Sequence, residues 1–119
     1  MDRQQIGQAA EDAAVAFLES QGLAVLLRNF RRRAGELDVV ARERDTLVIV
    51  EVRTRSSNAF GGAAASVDVH KRRRLLRAAE QLLQQRKELA RLQVRFDVIV
   101  VHQPASKNPR SEWIKHAFT

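Results

Sequence analysis

The sequence predicts an α/β fold in which one mixed sheet is flanked by helices, and three observations predict it. Apolar residues recur at helical spacing at the start of the chain. Three β-rich runs follow. A second helical stretch then leads into a fourth strand, so the order is α-β-β-β-α-β. A helix placed between the third and fourth strands acts as a crossover, which gives a mixed rather than a purely antiparallel sheet. The chain has 119 residues, enough for one compact domain over 1–119.

The elements follow in order. Ile6, Ala9, Ala10, Ala13, Ala14, Phe17 and Leu18 mark an amphipathic helix over about 4–21, stopped near Gly22. "LAVLLRNF" (23–30) is the first strand. "GELDVVAR" and "TLVIVEVRT" are the second and third, joined through polar "RERD". "RSSNAFGGAAASV" (55–67) is a loop rich in small residues, with Phe60 as a candidate wedge or anchor. Asp68 suits the N-cap of a second helix. Leu75, Leu76, Ala79, Leu82, Leu83, Leu89 and Ala90 mark its apolar side, with an end near Leu92. "VRFDVIVVH" (94–102) is a β-branched fourth strand, and Asp97 within it reads as structural, paired with Arg95 or with a base of the second helix. After the turn-rich "QPASKNPR", "EWIKHAF" forms a short edge strand.

Composition narrows the function classes. The absence of cysteine excludes disulfides and Cys-ligated zinc, and it fits a reducing cytosol, so a cytoplasmic location is expected. No run approaches the ~20 apolar residues of a membrane helix, so no membrane partner is expected. Acids inside the apolar pattern of the N-terminus argue against a signal peptide. The three histidines have no ligand spacing, and no phosphate-binding glycine loop or Ser-His-Asp order is present. The net charge is +7, which favours polyanionic partners.

The second and third strands carry the chemistry. With Arg44-Asp45 as a two-residue turn, Asp38 falls across from Glu51, and Glu36 across from Arg53. Directly opposed residues share a face, with Cβ atoms roughly 4.5–5.5 Å apart. Leu37, Val39, Ala41, Val48, Val50 and Val52 form the opposite, apolar face and are expected in the core. Two adjacent carboxylates repel unless one is protonated or a cation joins them. Mg²⁺ or Mn²⁺ suits such a pair, because a hard ion is commonly held by one or two carboxylates plus water and phosphate. The same pattern also fits a plain Glu36–Arg53 ion pair with Asp38 and Glu51 at a solvated sheet end.

Basic residues gather in two places: Arg31, Arg32 and Arg33, and then Lys71, Arg72, Arg73, Arg74 and Arg77 at the start of the second helix. Cations at a helix N-terminus oppose its dipole, whereas a bound phosphate would meet both the dipole and the cations. These eight residues are the candidate nucleic-acid contacts. A solvated charged face is the alternative.

The hairpin "GELDVVARERDTLVIVEVRTR", preceded by "RNFRRR" and followed by "AFGGAAASVDVHKRRRLLRAAEQLL" and "RFDVIVV", resembles the YraN family of small bacterial proteins over about Gly7 to Val101. That resemblance implies a restriction-endonuclease-like fold, similar to Holliday-junction resolvases and other PD-(D/E)xK nucleases. It places Asp38 at the first motif acid and Glu51 at the second, with the Val52 carbonyl joining the metal shell and Glu11 as a further acid from the first helix. Glu11 is otherwise an ordinary surface glutamate. Arg53 stands where the nuclease motif has lysine. Arginine clamps phosphate but does not act as a base. The expectation is a nuclease using Mg²⁺ or Mn²⁺ on structured or branched nucleic acid, with DNA the expected form. Arg53 would contact the scissile phosphate, with Glu36 holding it in place. By analogy with junction resolvases the protein would act as a homodimer. The alternatives are an inactive nucleic-acid-binding module and a basic surface that meets an acidic protein.

Overall fold

The computed structural model describes residues 1–55 and 67–118, and the candidate contact Phe60 lies outside them. Helix α1 spans Arg3–Ser20. Asp2 caps it: its carboxylate accepts the Gln5 N–H, while the Gln5 side chain accepts the Asp2 N–H, a reciprocal pair that satisfies two orphan donors. The helix ends where expected, before Gly22, whose φ of +90° is left-handed and suits glycine.

Five strands form one sheet in the order β1-β2-β3-β4-β5: Ala24–Arg32, Gly35–Glu43, Thr46–Arg55, Gln93–His102 and Arg110–Phe118. The β3–β4 pair is parallel and the other three pairs are antiparallel. The crossover between β3 and β4 contains α2, Val69–Gln85. The fold is therefore the mixed α/β arrangement that the sequence predicts, with the edge strand β5 added to an α-β-β-β-α-β order.

The sheet is the middle layer. On one side α1 contributes Ala10, Ala14 and Leu18, which pack on Val39, Ala41, Val48, Val50, Ile99 and Val101. On the other, α2 contributes Leu75, Ala78, Ala79 and Leu82 to a core with Val40, Leu47, Ile49, Val98 and Val100. Central strands with both faces covered read as continuous apolar runs, and "DVIVV" and "LVIV" do so. Asp97 is fully buried within β4 and fully partnered. Arg95 binds it in bidentate fashion, and it accepts the Trp113 Nε1–H and the His116 N–H, which ties the edge strand β5 to the centre.

Two expectations need correction. Helix α2 ends at Gln85, not near Leu92. Between Leu83 and Leu89 the chain reads "QQRKE", which offers no apolar side to bury, so the helix stops. A 3₁₀ turn at Lys87–Leu89 then folds Leu89 and Leu92 back into the core. The second correction concerns Leu37, which packs with the α2-side core, not beside Val39 on the α1 side. Residues two apart in a strand ordinarily share a face. Here the pleat inverts. In β1, Asn29 has φ of +54°, and on either side of it Phe30 pairs with Leu37 while Arg28 pairs with Val39. Asparagine tolerates this left-handed conformation better than most residues. Asp38 is the residue at that level in β2.

Candidate acidic site at the open end of the hairpin

The β2–β3 hairpin follows the predicted register only part of the way. From Glu43–Thr46 to Val39–Val50 the pairs match a turn at Arg44-Asp45. There the ladder ends. β2 goes on pairing with β1 as far as Gly35, and β3 goes on pairing with β4 as far as Arg55. The Asp38–Glu51 and Glu36–Arg53 cross-strand pairs are not made. The Asp38 carboxylate instead accepts the Val52 N–H at 2.9 Å, so a side chain takes over from the backbone ladder. The predicted Glu36–Arg53 contact is replaced by one between Glu36 and Arg31, at 3.1 Å.

Because the pleat inverts at its level, Asp38 borders cavities on both sides of the sheet. The larger, about 270 Å³, lies towards α1 and is lined by Gly7, Glu11, Asn29, Asp38 and Val52 among others. The smaller, about 170 Å³, lies towards α2 and is lined by Glu36, Asp38, Glu51, Lys71, Arg74 and Leu75. Asp38 and Glu51 therefore converge on one cavity although they are not paired.

Their electrostatics reflect it. Burial, and then the Glu51 charge, push the Asp38 carboxyl up to about 7, against the opposing pull of the Val52 N–H. Two carboxylates are close enough here that ionising both is costly. Glu51 is only 5% exposed. Its Oε1 lies 2.6 Å from Lys71 Nζ, and Arg53 Nε stands 4.0 Å from the same oxygen.

Glu11 is not an ordinary surface glutamate. It is buried, and its Oε1 accepts Arg28 Nε–H at 2.7 Å and Asn29 Nδ2–H at 3.0 Å. It thus lines the α1-side cavity with Asp38 while being held by β1. Among the described residues no group of three His, Cys, Asp or Glu side chains is placed to hold one ion. The available donor set is the carboxylate pair, which still fits a hard divalent ion that completes its shell with water and phosphate.

The basic residues fall into two ranks. Arg73 and Arg77 are exposed on α2, and Arg33 is exposed in the β1–β2 turn. Arg31, Arg32, Lys71 and Arg72, by contrast, have protein partners. Arg32 lies 4.1 Å over the Phe30 ring and donates to Gln85, Arg72 donates to the Val67 carbonyl, and Arg31 binds Glu36. Arg74 borders the acidic cavity. Sequence reasoning missed the Lys71–Glu51 contact and the Arg28–Asn29 clasp on Glu11. Neither has a local signal, since both depend on how a helix is set over the sheet.

Comparison with known proteins agrees with the resemblance read from the motifs. The profile of the uncharacterised protein family UPF0102 matches residues 10–101. A UPF0102 protein of Pseudomonas aeruginosa strain LESB58 is 47% identical over 113 residues, covering 94% of this chain and 90% of the relative. One of Xanthomonas euvesicatoria is 47% identical over 116 residues, covering 98% and 93%. One of Alcanivorax borkumensis is 41% identical, covering 94% and 90%. The chain belongs to the uncharacterised protein family UPF0102, the YraN family.

Proposed function

We propose that the protein is a metal-dependent nuclease that hydrolyses phosphodiester bonds in structured or branched nucleic acid. One observation carries this reading: the hairpin opens where it would otherwise bring Asp38 and Glu51 face to face, and the two carboxylates share a cavity rimmed by Lys71 and Arg74. A stability-driven hairpin gains little from a buried glutamate beside a half-buried aspartate at a gap in its ladder. A cation site uses both.

Asp38 and Glu51 would hold the ion, and the Val52 carbonyl is a further candidate ligand beside them. When bound, Mg²⁺ or Mn²⁺ would acidify a water and neutralise charge on the phosphate. The residues of the chain do the rest. Asp38 is aimed by the Val52 N–H. Arg53 and Arg74 flank the acids and suit a phosphodiester. Arg33, Arg73 and Arg77 are exposed and suit flanking backbone phosphates. Arg28 and Asn29 hold Glu11 in the α1-side cavity that Asp38 also borders, so Glu11 would act on the Asp38 side of the pair rather than join the shell of an ion held with Glu51.

A second reading is favoured by Arg53 itself. A permanently charged guanidinium in place of the motif lysine suits a module that binds nucleic acid without cutting it. Incubation with branched, single-stranded and duplex DNA, with and without Mn²⁺, separates the two. Metal-dependent cleavage that Asp38→Ala abolishes is expected for the nuclease. Binding without cleavage, in wild type and in Arg53→Lys alike, identifies the binding module. No affinity for nucleic acid at low salt would end both readings.

A further inference from the structure

The geometry points to Lys71 as the built-in counter-ion of the acidic pair, an amine that competes with a divalent ion for Glu51. This rests on the reading of Asp38 and Glu51 as an ion-binding pair.

Three observations carry it. First, Lys71 Nζ is 2.6 Å from Glu51 Oε1, against 4.0 Å for the nearest atom of Arg53, so the lysine makes the close contact. Second, the Glu51 side chain is 6% exposed and that of Lys71 36%. A buried carboxylate without a partner is strongly unfavourable, so a protein whose site is not always loaded requires a substitute cation. The substitute must also be able to leave, and a half-exposed, flexible lysine can swing into solvent while Glu51 cannot.

Third, the backbone holds Lys71 at this height. Asp68 caps α2 by accepting the Lys71 N–H at 2.8 Å. Below it, Gly35 lies so close to α2 that an added Cβ would stand 2.8 Å from the Arg74 carbonyl oxygen. The β1–β2 turn and the N-cap thus seat the first turns of α2 over the cavity. Lys71 is set apart from its basic neighbours. Arg72 turns away to the Val67 carbonyl, and Arg74 lines the same cavity without an ion pair to Glu51.

Mn²⁺ titration of the full chain, followed by electron paramagnetic resonance, tests this. Lys71→Met should bind Mn²⁺ roughly tenfold tighter than wild type or better, because the competitor is gone. Arg74→Met removes the same charge from the same cavity and should change affinity by less than about threefold, since it leaves the Glu51 contact in place. Lys71→Arg, which keeps a cation there, should bind no tighter than wild type. Thermal melts of each variant establish that it is folded. Equal or weaker binding by folded Lys71→Met overturns the inference, as does an equal gain in Arg74→Met, which would reduce the effect to net charge. Mn²⁺ binding that is indifferent to Lys71 leaves the acidic pair standing and removes only the counter-ion role. No binding by any variant removes both.

Discussion

The two ends of the β2–β3 hairpin obey different rules. At the turn end, five pairs from Glu43–Thr46 to Val39–Val50 keep strict register, and Val39, Val40, Ala41, Leu47, Val48, Ile49 and Val50 are all essentially buried. At the other end the strands separate, the pleat inverts beside Asn29, and Asp38, Glu51, Arg53 and Lys71 meet. The same two strands thus supply a rigid support and a polar gap within a few residues. Ladder hydrogen bonds and alternation stabilise the first. In the second, a carboxylate has replaced a ladder acceptor and charge pairing has replaced burial. Substitutions at the two ends should therefore affect different measurements.

The largest effect is expected at the open end. Glu51→Gln keeps the size of the side chain and removes its charge, so metal-dependent cleavage should fall on the order of a thousand-fold, comparable with the loss of a key electrostatic group in other active sites. The fold should persist, as judged by an unchanged far-UV circular dichroism spectrum. Retained cleavage would remove Glu51 from the reaction. At the turn end the outcome should reverse. Val48→Ala deletes two methyl groups from a fully buried site, at a cost of roughly 2–3 kcal/mol by denaturant titration. Its Mn²⁺ affinity should match wild type. A Val48→Ala protein that loses metal affinity as well as stability would show that the two ends are not separable.

The pH dependence of stability sharpens the contrast. The Asp38 carboxyl is raised from 3.8 to about 7 in the folded state. Between those values the native protein holds a proton that the unfolded chain has released, so stability must fall as pH rises from about 4 through 7 and level off above. The expected loss is on the order of 1–2 kcal/mol, smaller than the full shift would give because Asp38 is only partly buried and solvent screens its charge. Asp38→Asn should flatten this slope in melts at pH 5 and pH 8. Millimolar Mn²⁺ should oppose it, since a bound cation favours the ionised form. A wild-type slope that Asp38→Asn leaves untouched would place the responsible group elsewhere.

What the sequence made legible follows the same division. The turn end was readable because period-two alternation and a two-residue connection determine register, and nothing there overrides them. The caps at Gly22 and Asp68 and the Arg95–Asp97 pairing were also readable, since each is local. The open end was readable only in its residue types. Asp38 and Glu51 were legible as acids out of place, and Glu11 only through the family resemblance, but their arrangement depends on a left-handed Asn29, for which the residue type alone is a weak signal inside an apolar strand run. Lys71 looked like one cation among five. Only the setting of α2 over the sheet, through the contact at Gly35, distinguishes it. The end of α2 was misread because Leu89 and Leu92 are buried, as helix residues would be, but reach the core through a 3₁₀ turn.

The smallest expected effect lies at the turn itself. Arg44 occupies the first turn position with φ of +55°. A non-glycine residue carries a steric cost there, because its Cβ approaches the following carbonyl oxygen. Arg42 Nε donates to the Arg44 carbonyl oxygen, a backbone acceptor that any residue at 44 retains, and the Arg42–Asp45 ion pair is long at 3.9 Å. Arg44→Gly therefore relieves strain without removing a hydrogen bond. It also makes the unfolded chain more flexible, which opposes the gain. The net expectation is a stabilisation of a few tenths of a kcal/mol, up to about 1. Because the turn end is already in register, this gain should appear in thermal melts with no change in Mn²⁺ affinity. A change in metal affinity from a substitution at the turn would mean that strain at Arg44 is transmitted along β2 to Asp38, and that the rigid end of the hairpin sets the geometry of the open one.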